Sequence, residues 1–106
     1  MREFRLEADE QMQEFFSEVA DEIQKFGASR AEAVARVNRT WEGVEFEPYP
    51  DLVCHEEPEY WAHRFYYGNG PGRMVPYWDP DADRSTWTIK PAPPADDPAW
   101  TLPREG

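Results

Sequence analysis

Cys54, His55, Glu56, Glu57, Glu59 and His63 place a thiol, two imidazoles and three carboxylates within ten consecutive residues. Each of these groups is a zinc ligand type, and three of them on one face would suffice for a catalytic ion. The spacing works against that chemistry. A zinc hydrolase helix needs His-Glu-x-x-His, which puts two imidazoles one turn apart. Here the run is His55-Glu56-Glu57-Pro58-Glu59, and the second histidine lies eight residues after the first. On a continuous helix that is a rise of roughly 12 Å, too far for one ion. Only a bend at Pro58 could shorten it. A small metal-dependent enzyme or metal sensor using Cys54, His55 and His63 is therefore an alternative reading; the main expectation includes no metal and no cofactor.

Other candidate chemistry is weaker. Asp79, Asp81 and Asp83 match the first three ligand positions of a calcium loop. The glycine needed for its sharp turn is Arg84, and the closing bidentate glutamate is Lys90, so an Asp-rich turn is expected instead. Cys54 and His55 are sequence neighbours, a poor arrangement for a nucleophile and its base. Ser17 and Ser29 fall in helical and capping positions, and Ser85 lacks a strand-to-helix elbow. No pair of carboxylates stands out, so the chain reads as non-catalytic.

Charge is the clearest signal. The chain of 106 residues carries a formal net charge of -11. Residues 42–59 hold seven acids and neither lysine nor arginine, whereas residues 27–41 hold three arginines and one acid. A field of this sign repels nucleic acid and anionic membrane and steers basic partners inward. The lone cysteine excludes an internal disulfide and fits a reducing compartment. No apolar run approaches the ~18 residues of a membrane span, and no secretory leader is visible, so a cytoplasmic protein without membrane association is expected.

The elements that would position these groups follow from periodicity. Met12, Phe15, Phe16, Val19, Ile23 and Phe26 recur at three- and four-residue steps, which predicts a helix over about 7–26, stopped by Gly27. Ser29-Arg30-Ala31-Glu32 is a capping box opening a second helix to about Trp41. The short link between them predicts an antiparallel helical hairpin, with Arg30, Arg36 and Arg39 free to pair with acids of the first helix. Residues 44–53 read as extended chain with at most a short edge strand, because Pro48 and Pro50 interrupt it. Tyr49 and either Leu52 or Val53 should touch the core. Pro58 suits the first turn of a third helix over about 57–67, where Glu56, Glu57 and Glu59 favour the positive end of the dipole. Residues 68–72 form a loop by composition. Met74–Trp78 and Ser85–Ile89 are expected to make a small β-hairpin. Five prolines after Lys90 predict an extended tail that Trp100 and Leu102 could pin to the surface.

A resemblance appears in the middle of the chain. Ala33-Val34-Ala35-Arg36-Val37-Asn38 with Trp41, followed by His55-Glu56, Glu59-Tyr60-Trp61-Ala62 and Tyr66-Tyr67-Gly68, resembles a group of small uncharacterised bacterial proteins. These share an Arg-aliphatic-Asn-x-x-Trp helix and a His-Glu-x-x-x-Tyr-Trp-Ala-x-x-aliphatic-Tyr-Tyr-Gly segment. Position 65 departs from the pattern, being Phe. The similarity spans roughly residues 27–68 and implies a shared domain core. No activity is established for the group, so it implies no functional residues.

The fold expected is α+β and mainly helical: an N-terminal helical hairpin, a third short helix and a small β-hairpin in one domain over 1–90, then a Pro-rich extended tail over 91–106. The function expected is that of a non-catalytic acidic binding protein engaging a basic protein partner, of the immunity or inhibitor type. The partner-binding residues would be Tyr60, Trp61, Tyr66 and Tyr67 with Glu56, Glu57 and Glu59, since surplus Tyr and Trp anchor interfaces. A homo-oligomeric structural module is the remaining alternative.

Overall fold

The computed structural model describes residues 3–68 and 74–103. It is built on three helices, α1 (Glu10–Gln24), α2 (Arg30–Thr40) and α3 (Pro58–Tyr66), with single 3-10 turns at Leu52–His55 and Arg84–Thr86. Each helix starts where the sequence supplies a start. Asp9 accepts the Met12 N–H at 2.9 Å, and Ser29 accepts the Glu32 N–H at 3.1 Å. Pro58 occupies the first turn of α3, where its missing N–H costs no bond. Gly27 follows α1 at φ 109° and Gly43 follows α2 at φ 79°, left-handed conformations that a Cβ would strain. The capping box is half made: the Glu32 carboxylate takes the Arg36 Nε at 2.9 Å instead of reaching back to Ser29.

α1 packs against both α2 and α3. Its apolar stripe of Met12, Phe15, Phe16, Val19 and Ile23 is buried, as its period requires. Phe16 sits between Phe4, Trp41 and Phe46, with ring centroids 5.8, 5.5 and 5.0 Å away. Trp41 carries the packing on to α3, with Phe65 at 4.9 Å and Trp61 at 5.3 Å, both edge-on. Such edge-to-face pairs add roughly 0.5–1.5 kcal/mol each beyond the area they bury.

The small β-hairpin expected over 74–89 is not formed. Residues 77–78 and 80–81 are turns, and Asp79 and Asp83 fold the segment locally, accepting the backbone N–H groups of Asp81 and Ser85. Side-chain acceptors two residues back offer the backbone a closer partner than a facing strand does. The bridge this segment makes pairs Ile89 with Tyr67, just past α3. There Gly68 donates to the Thr88 carbonyl and Lys90 to the Tyr66 carbonyl, each at 2.8 Å. Val44–Glu47 likewise forms no strand. The expected loop at 68–72 lies, apart from Gly68, outside the described residues.

Two further expectations are adjusted. Of the arginines of α2, Arg30 reaches α1, pairing with Asp21 at 2.7 Å, and also grips Glu3. Arg36 pairs with Glu32 of its own helix, and Arg39 with Asp97 and Glu42. Val53 packs on the core, whereas Leu52 and Tyr49 are exposed.

The proline-rich stretch after Lys90 runs without helix or strand over its described residues, 91–103, but is anchored. Asn38, buried on α2, accepts the Arg5 N–H at 2.9 Å and donates to the carbonyls of Glu3 and Ala99, each at 3.0 Å. Arg36, also buried, donates to the Lys90 carbonyl at 2.8 Å. Ala99 is buried and Leu102 packs on the core.

Candidate functional site

The segment between α2 and α3 carries the acids singled out by charge. Its shape is fixed from beneath by two aspartates. Asp51 is buried and accepts the N–H groups of Glu47 at 2.7 Å and Val53 at 3.0 Å, the latter opening the 3-10 turn. Asp9, the cap of α1, uses its second oxygen to accept the Tyr49 N–H at 2.9 Å. The Tyr49–Pro50 peptide is cis. With those bonds made inside, the remaining acids of the segment, Glu42, Glu45, Glu47, Glu56, Glu57 and Glu59, are all exposed.

Glu42 has an ion pair with Arg39 at 3.6 Å. Glu45, Glu47, Glu56, Glu57 and Glu59 have none among the described residues. Exposed apolar side chains are interleaved with them: Val44, Tyr49 and Leu52, the last 79 % exposed. Isolated surface leucines need no explanation, but here three apolar groups share a short loop with uncompensated carboxylates. Glu59, Glu56 and Glu57 also act electrostatically on one phenol, that of Tyr77. Burial pushes the Tyr77 phenol above its ordinary value, and these three carboxylates push it further.

The aromatic candidates divide by burial. Tyr66 is buried, with the Arg36 guanidinium 4.6 Å over its ring and Phe26 at 5.1 Å. Trp61 and Tyr67 are half-buried and pack on the core cluster. Tyr60 is half-buried and lies edge-on to Trp61 at 5.0 Å. Of the four, Tyr60 directly follows Glu59 and is the one outside the core cluster. The sequence did not single out Trp78, which is 66 % exposed. Reading it as part of a hairpin strand hid the turn in which the Asp79 N–H donates to the Pro76 carbonyl.

The metal ligands are not brought together. Among the described residues no group of three or more His, Cys, Asp and Glu could hold an ion. Cys54 points its Sγ at the Met12 Sδ, 3.7 Å away. Burial raises the Cys54 thiol pKa, and the carboxylates of Asp51, Glu18 and Asp9 raise it further, against one backbone hydrogen bond at Asp51. It is a protonated thiol at neutral pH, the wrong state for a nucleophile or ligand. His55 is exposed, while His63 is buried in a different packing environment against Phe26 and Tyr77. Asp79, Asp81 and Asp83 are exposed, with Asp79 and Asp83 engaged in local turns.

No helix of the described residues is long and apolar enough to cross a membrane. No family model matches the chain, and no curated protein and no solved structure matches it.

Proposed function

We propose that the chain is a non-catalytic binding protein whose α2–α3 segment engages a basic protein partner, in the manner of an inhibitor or immunity protein. One observation carries the reading: Glu45, Glu47, Glu56, Glu57 and Glu59 are exposed and have no cationic neighbour in ion-pair range among the described residues. Five acids elsewhere are paired, Glu3 and Asp21 with Arg30, Glu22 with Lys25, Glu32 with Arg36 and Asp97 with Arg39. Others, such as Glu10, Glu14 and Glu18, are exposed without an ion pair among the described residues. What marks the α2–α3 segment is that its unpaired acids lie in a stretch with neither lysine nor arginine and with exposed apolar side chains between them. Unpaired like charge in one segment costs stability through self-repulsion, and an incoming cationic surface removes that cost while gaining speed of association. Leu52, Tyr49 and Tyr60 supply apolar area that charge alone lacks. A polyanion such as nucleic acid would meet the same field as a barrier.

The test uses the protein immobilised beside a variant with all five glutamates changed to Gln. Both are offered the same cell extract, together with an unrelated protein of equal net charge. The reading expects a specific basic protein retained by the wild type alone and released as salt rises. Equal retention on all three surfaces, or none on any, overturns it. Sedimentation of the purified chain checks self-association: assembly lost in the five-Gln variant would point to a second copy as occupant and overturn the basic-partner reading.

A further inference from the structure

His63 is 4 % exposed. Its Nδ1 lies 2.8 Å from the Glu59 carbonyl oxygen, one turn back on α3. A carbonyl oxygen only accepts, so the neutral ring carries its proton on Nδ1, and Nε2 presents a bare lone pair. That Nε2 is buried and has no hydrogen-bond partner among the described residues. The ring is enclosed by aromatics from separate parts of the chain. Tyr77 stacks on it at 4.3 Å and 12°, and Phe26 meets it edge-on at 4.7 Å. Tyr67 and Trp87 each stand 6.1 Å away. Tyr77 and Trp87 belong to a segment with one three-residue 3-10 turn and one isolated bridge, so aromatic contacts do much of the holding.

We propose that His63 is a proton-operated latch: its neutral ring holds the 74–87 segment on α3, and protonation at Nε2 releases that segment. An imidazolium in place would bury an N–H and its charge with no acceptor, a costly state. The ring escapes the cost by bringing Nε2 to water, which requires Tyr77 to leave its face. The charged groups around the ring oppose one another. Burial is the largest influence and disfavours the charged ring; Arg84, across the segment, acts the same way. Glu59, through its carbonyl and its carboxylate, and Glu22 at the end of α1 favour it. Glu22 is itself engaged by Lys25 at 2.8 Å. Tyr67 and Tyr77 bring phenols, that of Tyr77 raised and uncharged in this range. The balance holds His63 below its ordinary 6.5. A group harder to protonate when enclosed than when released stabilises the enclosed state fully above 6.5; that stability declines as pH falls through 6.5 and the enclosed ring's own value.

Imidazole signals followed by NMR during an acid titration should show His63 protonating below the ordinary 6.5. Over the same range the Trp87 indole resonance should shift and near-ultraviolet dichroism fall while the far-ultraviolet helical signal persists. His63→Phe keeps a ring in the cage and removes the proton acceptor, so its loss should move at least half a pH unit lower; His55→Gln should leave the loss in place. The latch is overturned if His63 titrates at or above 6.5, if His63→Phe and wild type open at the same pH, or if helices and cage are lost together. Should His63→Phe fail to fold, the wild-type titration decides.

Discussion

The indole N–H of Trp61 donates to the Val53 carbonyl at 2.8 Å, which ties α3 to the 3-10 turn before it. The same carbonyl also accepts the Glu56 N–H, more loosely, at 3.3 Å. Trp61 therefore sets where the Glu56–Glu59 acids begin, while its ring rests against Trp41 and Phe65. Trp61→Phe keeps most of the packing and leaves the carbonyl its weaker donor. The expected loss is about 1 kcal/mol, the net worth of one such bond, read from urea unfolding at unchanged slope.

Asn38 is the second polar residue on which the fold depends. Removing its amide leaves the Ala99 carbonyl and the Arg5 N–H without their partner, and the Glu3 carbonyl with the Thr101 hydroxyl alone. Asn38→Ala should cost about 2–4 kcal/mol, since each buried group left unpaired costs ~1–3 kcal/mol and the termini can recover part by meeting water. Asn38→Asp should be worse at neutral pH than at pH 4, because an ionised carboxylate would face two carbonyl oxygens. Thermal melts of the two variants at both pH values check this.

Glu3, like His63, makes the fold less stable on acidification, but in a lower pH window. The Arg30 hydrogen bond holds its carboxyl below the ordinary 4.5, more strongly than burial raises it. A depressed carboxyl contributes stability that is present above 4.5 and is lost as pH falls through its folded value. Arg30 and Glu3 are both partly solvated, so the contribution is a few tenths to ~1 kcal/mol. Glu3→Gln should flatten the acid side of the stability profile below 4.5 and leave the profile near 6.5 unchanged.

Changing Glu45, Glu47, Glu56, Glu57 and Glu59 together to Gln should raise stability at low salt by a few tenths to ~1 kcal/mol, as like charges are removed from one segment. High salt should erase the gain, because these carboxylates are exposed and screened. Melting temperatures of wild type and variant across a salt series measure both effects. A fall in stability would mean that the glutamates serve the fold.

The helices were legible because each is written twice, as a stripe and as a boundary. Phe15, Phe16, Val19 and Ile23 mark one face of α1, with Gly27 at its end, and Ser29 opens α2; the start of α1, expected near residue 7, is set by the Asp9 cap, so that the helix begins at Glu10. The segments after α3 carry no such double mark. Thr86, Trp87, Thr88 and Ile89 alternate like a strand, yet the carboxylates of Asp79 and Asp83 capture the nearby backbone donors before a facing strand can. Leu52 looked like core by type; the cap at Asp51 sets its 3-10 turn so that Val53 enters and Leu52 leaves. At the site, the charge of residues 42–59 was visible in composition. Which acids are spent inside, Asp51 and the neighbouring Asp9, depends on loop geometry that no period encodes. His63 was hidden for a similar reason, since its cage is assembled from Phe26, Tyr67, Tyr77 and Trp87, far apart in the chain.

Asn38 and Thr101 both bond the Glu3 carbonyl, so residues 3 and 101 meet on the flank of α2. The segments around residues 3 and 101 thus share a single seam. A short linker could join them, and new ends could be cut in the exposed turn at Glu42–Val44 without parting a helix. Pulled at residues 3 and 101, the molecule would meet the load first at this seam, where one asparagine amide bonds both segments, and would open there as a zip rather than shear along its helices.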